Sequence, residues 1–178
     1  MGLQGQIEEW FEAGEIDLAV AILEGDPPRH CRTQPLLDLP LALLVPANSN
    51  LHTAEELWKQ RHIKERLLSP PATDAISKYF ERGLRRHAVE WNWRVDMNAI
   101  DLVESYVARG FGIGVTLVVP GCRYLPEVRA LPLPGFPSVP IGLMWRKDPE
   151  PATVALMQAM EREAELMRQQ QRHHASAA

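Results

Sequence analysis

Residues 98–120 read NAIDLVESYVARGFGIGVTLVVP, and the fold class turns on them. Asn98 suits an N-cap, because its side-chain oxygen can take an orphan amide of the first helical turn. Asp101 then puts negative charge at the positive end of the helix dipole. The spacing predicts a helix with Leu102, Val103, Tyr106 and Val107 on one face, ended by Gly110 in a left-handed conformation. Ile113 to Val119 is short, β-branched and almost wholly apolar, as expected of a parallel strand covered on both sides. Helix, glycine turn and buried strand make half of a βαβ unit. Gly110, Gly112 and Gly114 lack dinucleotide-fingerprint spacing and precede the strand, so a tight turn is expected, not a phosphate cradle.

Upstream, Glu90 to Val95 alternates Trp91, Trp93 and Val95 against Asn92 and Arg94, a strand pattern of period two. Before it, Leu67-Leu68-Ser69-Pro70-Pro71 leads into an amphipathic helix carrying Ile76, Tyr79, Phe80 and Leu84. Two adjacent prolines fix two φ angles, which suits a stiff crossover between lobes. Thr53 to Glu56 has the form of a capping box, so a short helix should begin at Ala54. Leu36 to Val45 reads as one strand stopped by Pro46, and Ile16 to Leu23 as another, running into the loop Glu24–Arg29. A loop at the carboxyl end of a parallel strand is where open α/β sheets place ligands, and a plain connecting loop is the equal alternative here. Leu3, Ile7, Trp10 and Phe11 form the stripe of a first helix ended at Gly14.

Downstream, the prolines between Pro120 and Pro140 exclude long helices, and the chain should return there to the first lobe. Val139 to Arg146 is a further strand, and Pro151 to Arg168 a last helix with Val154, Met157, Met160, Ala164 and Met167 on one side. The polar tail beyond it should fray.

The chain has 178 residues, 46% apolar and 24% charged, enough for one domain or two small lobes with real cores. Its formal net charge of -4 offers no electrostatic footprint for DNA or an anionic membrane. Arg82, Arg85, Arg86 and His87 read first as the solvated carboxyl end of a helix, with a patch for a partner as the alternative. No signal peptide and no apolar run of roughly 18 residues is present, which points to a cytoplasmic protein without a membrane span. Cys31 and Cys122 lack C-x-x-C spacing and read as free thiols. No nucleophile elbow or ordered histidine set occurs, so no catalytic residue, metal site or cofactor is expected.

The segment VARGFGIGV resembles the V-x-x-G-L-G-I pattern of the effector-binding domain of LysR-type transcriptional regulators. Ala13 to Val20, AGEIDLAV, is similar to that family's A-G-E-L-D-L-A-I. Leu41 to Pro46 is similar to its L-V-L-V-V-P strand, and Ile141 to Lys147 to its closing strand. The four matches keep the family's order and about its spacing, over nearly all of residues 3 to 168. The resemblance implies an α/β fold of periplasmic-binding-protein type II, with two lobes, each a mixed, mostly parallel sheet flanked by helices. Residues 1–65 with 140–178 would form lobe I, and residues 66–139 lobe II.

By the same resemblance, a small effector, commonly anionic, is expected between lobes, in a protein that is not an enzyme. Ser69, Ala72 and Thr73 correspond to the segment entering the second lobe, Asn98 and Ala99 to a helix start facing the cleft, and Thr116 to the strand after the glycine turn. Helix starts at Thr73 and Asn98 would direct free amides at an anion. Ala99 stands where Ser or Thr is frequent in the family, and Leu117 where proline is.

Relative to the family, the winged helix-turn-helix, the linker helix and the first strand and helix of the effector domain are missing here. This chain itself is therefore expected to make no DNA contact, to leave a sheet edge exposed, and to aggregate or pair. Full-length relatives are expected to be homo-oligomers. A stand-alone solute-binding module of the same fold is the alternative, against which the missing signal peptide counts.

Overall fold

A computed structural model describes residues 4–60, 62–97 and 100–176. The chain divides into two compact units. The first comprises Met1–Leu39, Val119–Gly121 and Pro140–Ala178, the second Pro40–Val118 and Cys122–Val139.

In the first unit, α1 (Gln4–Ala13) precedes β1 (Leu18–Ile22) and β2 (Cys31–Leu39), and the chain returns as β8 (Val139–Arg146) and α5 (Pro151–Ser176). The sheet order is β1-β8-β2. β1 runs antiparallel to β8, with Val20 opposite Leu143. The loop Glu24–Arg29 is irregular as expected, but the strand before it pairs antiparallel, so the parallel-strand argument for a ligand there does not apply. One small cluster joins Phe11 of α1 to Cys31 and Met144; another joins Leu36, Leu143, Met157 and Ala164. The exposed flank of β1 carries Val20, half open to solvent. α5 continues to Ser176, eight residues past the expected Arg168, because Gln169 to Arg172 prolong the helix and Glu165 binds Arg168 and Arg172 along it.

The second unit holds a five-stranded sheet of order β5-β4-β6-β3-β7, made of β3 (Leu41–Pro46), β4 (Leu67–Ser69), β5 (Arg94–Asp96), β6 (Ile113–Leu117) and β7 (Val128–Pro132). β4 is parallel to both β5 and β6, whereas β3 is antiparallel to β6 and β7. The sheet is thus mixed in equal parts, and the mostly parallel arrangement is corrected. Helix α3 (Ala75–Arg86) connects β4 to β5, and α4 (Ile100–Ala108) carries the chain from β5 to β6 past β4. The βαβ unit around residues 98–120 is present.

One sheet face packs Leu44, Leu68, Met97 and Val128 against Val103 and Val107 of α4. Gly114 lies beneath that helix, where a Cβ would collide with Val103. Gly110 has φ +76°, the left-handed turn expected of it. The helix face is narrower than the sequence suggests: of the four expected residues, Leu102 and Tyr106 are exposed, and Val103 and Val107 enter the core. Elsewhere in this unit, Phe80, Trp91, Trp58 and Phe136 form an aromatic cluster with centroid separations of 5.5 to 6.3 Å.

Several expectations are corrected. Leu36 to Val45 is not one strand: Pro40, which has no amide to donate, separates β2 from β3, and these lie in different sheets. Pro40 O instead accepts from Val118 N at 2.8 Å. Residues 40–65 consequently fall in the second unit, not with residues 1–39, because β3 is held between β6 and β7. The prolines Pro70 and Pro71 link β4 to α3 inside that unit and are no crossover between units. The proline-rich return contains β7, an edge strand ending at Pro132, a position where the missing amide costs no ladder bond.

The capping box does not form around α2 (Glu55–Trp58). Its N-cap is Ala54 without a side-chain bond, and the Glu56 carboxylate accepts from His52 N instead. Trp91 and Trp93 do not share a face either. β5 begins only at Arg94, Trp91 is 5% exposed with its Nε1 donating to Glu65 O, and Trp93 is 60% exposed. Cys31 is buried, Cys122 is exposed, and they form no disulfide.

Candidate functional site

The strands β5, β4 and β6 run parallel, so their carboxyl ends lie at one edge of the sheet. From β4 the chain goes through α3 to one neighbour, and from β5 through α4 to the other. Such a reversal of direction opens a crevice at the carboxyl edge of the central strand. Ser69 ends that strand.

Ser69 is 1% exposed, and its Oγ has no hydrogen-bond partner among the described residues. The groups around it are committed elsewhere. Ser69 O accepts from Met97 N at 2.8 Å, and Pro70 O accepts from Ser77 Oγ at 2.6 Å. A buried hydroxyl left without a partner costs about 1–3 kcal/mol, a penalty that a bound polar molecule can offset.

The other candidates distribute unevenly. Thr116 reaches the same edge, half-buried on β6, with only a long 3.4 Å bond from its Oγ1 to Leu117 O. It pairs with Ala42 of β3. Alternation along β4 and β6 puts Ser69 with Leu67 on one face and Thr116 with Gly114 on the other. Ala72 and Thr73 are exposed in the turn between β4 and α3. Asn98 and Ala99 lie outside the described residues, between Met97 and the start of α4.

The expectation that α3 starts at Thr73 with amides open to an anion is corrected. The N-cap is Asp74, in extended conformation, and its Oδ1 accepts from Ile76 N at 2.8 Å. That carboxylate occupies an amide the anion would use and adds like charge beside it. Asp74 was legible in principle, since Asp ranks above Thr as an N-cap and adjoins the apolar run. The solitary Ser69 hydroxyl had no sequence signal, because it depends on what surrounds it.

Ser69, Ala72, Thr73 and Thr116 do not line the cleft of about 650 Å³ at the opposite edge, which Glu65, Arg66, Phe111 and Gly112 help to form. Among the described residues, no group of His, Cys, Asp or Glu could hold a metal ion, and no helix is long and apolar enough to cross a membrane.

The family model described as "LysR substrate binding domain" matches residues 1–165. No curated protein matches the sequence. Among solved structures, HinK, a LysR family transcriptional regulator from Pseudomonas aeruginosa, is similar with TM-score 0.72 and 17% identity, over 92% of this chain and 57% of that one. The BenM effector binding domain with its effector benzoate is similar with TM-score 0.68 and 20% identity, over 92% of this chain and 75% of that one. The Synechocystis CcmR regulatory domain in complex with 2-PG gives TM-score 0.69 and 19% identity, over 91% and 80%. Against full-length BenM the chain spans 55% of the relative's length.

Proposed function

The chain belongs to the LysR substrate-binding domain family, and on that premise we propose that it senses a small-molecule effector for a transcriptional regulator without catalysing a reaction. The effector contacts the carboxyl edge of β5, β4 and β6, with Ser69 as its buried hydrogen-bonding partner. The observation that carries this reading is the Ser69 hydroxyl, 1% exposed and without a partner among the described residues at a strand end where α/β sheets take ligands. Thr116 at the same edge and the 98–99 segment entering α4 complete the contact set. A small carboxylate is the effector class. Asp74 occupies the start of α3, so by family position the start of α4 is left as the proposed source of amides for the anion.

We read the two compact units as counterparts of the family's two lobes, with residues 40–65 moved to the second. DNA contact is made elsewhere in the regulator, in keeping with the net charge of -4 here, and the protein acts in the cytoplasm as a homo-oligomer.

A thermal melt of the purified chain with benzoate and other small carboxylates, ionic strength matched with chloride, tests the site. A ligand at about 100 times its Kd stabilises by about 2.7 kcal/mol, a readily measured rise in Tm. Ser69→Ala is expected to keep the fold, since it removes a buried polar group that has no partner, and to reduce the ligand-dependent rise. Asn98→Asp, at the N-cap expected from the sequence, should also reduce it by adding negative charge there while retaining an oxygen able to cap. No rise with any small carboxylate, or a full rise in both variants, would refute the assignment.

A further inference from the structure

At the amino edge of the same sheet, opposite Ser69, the structure holds a second feature: a cleft of about 650 Å³ within the size range of small-molecule pockets. We propose that this cleft binds a small organic ammonium, recognised by the Glu65 carboxylate and the Phe111 ring.

The walls are preformed. On one side the loop after β3 is fixed by Arg129, whose guanidinium donates to Ser49 O at 2.8 Å and to Leu51 O, while Leu51 N donates to Ser49 Oγ at 3.2 Å. On the other, the Gly110–Gly112 turn is pressed against the start of β4. Ile113 N donates to Arg66 O at 2.8 Å, and Gly112 leaves no room for a Cβ beside that carbonyl. A pocket with both walls tied down loses little freedom when a ligand enters.

The chemistry of the lining selects the ligand. Glu65 Oε2 is shielded from water and has no hydrogen-bond partner among the described residues. A carboxylate only accepts, so what it lacks is a donor, and an ammonium supplies up to three with a compensating charge. Glu65 lines the cleft, and because the terminal torsion of a glutamate is broad its carboxylate can present an oxygen to a ligand there. Phe111 presents a ring that is 50% exposed, supported by Tyr106 at 5.3 Å between centroids. A cation over such a face is attracted by the ring quadrupole. Arg66, also in the lining and exposed, disfavours ligands with positive charge at both ends. The class is therefore a monoammonium with an apolar tail.

The experiment is amide NMR of the full 178-residue chain titrated with n-butylammonium chloride, against sodium butyrate and sodium chloride at matched ionic strength. Saturable shifts at Phe111, Gly112 and Ile113 are expected with n-butylammonium only, at a Kd on the order of 1 mM. Glu65→Gln should weaken binding by about tenfold or more, through loss of a desolvated charge partner. Phe111→Leu, at an exposed position that does not threaten folding, should weaken it by about two- to tenfold. Ser69→Ala should leave it unchanged, which separates this site from the effector edge. Absence of saturable shifts, equal shifts with butyrate, or undiminished binding by Glu65→Gln would overturn the proposal.

Discussion

The two compact units differ in how they are held together. Of the twelve largest fully buried side chains among the described residues, eleven lie in the second unit, and Leu143 alone in the first. The second unit closes both faces of a five-stranded sheet, with α4 over Leu44 and Leu68 and an aromatic cluster around Phe80. The first has three strands and relies on smaller clusters around Phe11 and Met157. Apolar area removed from water is the main stabilising term, so the second unit is the more stable body and the first the one that opens earlier. Both functional proposals fall in the second unit, where a rigid sheet positions them.

The largest effect that tests this contrast is in the cores. Phe80→Ala should cost about 3–5 kcal/mol in urea unfolding, whereas Met157→Ala, in a smaller cluster with flexible Met160 beside it, should cost about 2 kcal/mol. Equal losses at the two positions would break the comparison.

An intermediate effect sharpens it. A Cβ at Gly114 meets the side chain of Val103, and one at Gly142 meets Gln34 O of the neighbouring backbone. Either alanine should cost about 1–3 kcal/mol through overpacking, with Gly142→Ala the more costly because a strand carbonyl yields less than a methyl group. A thermal melt that ranks Gly114→Ala as the worse would show that packing in the second unit is the less forgiving throughout.

The smallest effect belongs to the end of α5. Glu165 is held below the usual carboxylate range by hydrogen bonds from Arg172 and Gln169 and by the charge of Arg168. A depressed carboxylate contributes stability above its unfolded value, about 4.3, and loses it as pH falls through the lower folded one. Far-UV circular dichroism should show a slight loss of helix over that acid window, and Glu165→Gln should abolish the step. Because the group is solvent-exposed, 1 M salt should abolish it too.

Much of the local structure was legible in the chain. The period of 3.6 behind α3, α4 and α5, the Gly110 turn with its positive φ, and the apolar runs of β3, β6 and β8 appear where the sequence places them. The four motifs spaced along the chain led to the family, because they report backbone conformations that neighbouring residues largely decide alone. Sheet membership was not legible. Pro40 divides one apolar run between two sheets, and β7 forms within a proline-rich segment because β3 has an edge to pair with.

Side-chain fate was decided at the same level. Trp91 is buried and Trp93 exposed, and Val103 and Val107 enter the core while Leu102 and Tyr106 do not, although each set is alike in sequence. The candidate site divides in the same way. Family position placed Ser69 and Thr116 at one sheet edge, but only the packing around β4 leaves the Ser69 hydroxyl without a partner, and only the joining of residues 46–51, 65–66 and 110–113 makes the Glu65 cleft. Composition and periodicity determined which segments became helix or strand; tertiary pairing decided which polar atoms lost water without gaining a partner, because that depends on groups distant in the chain.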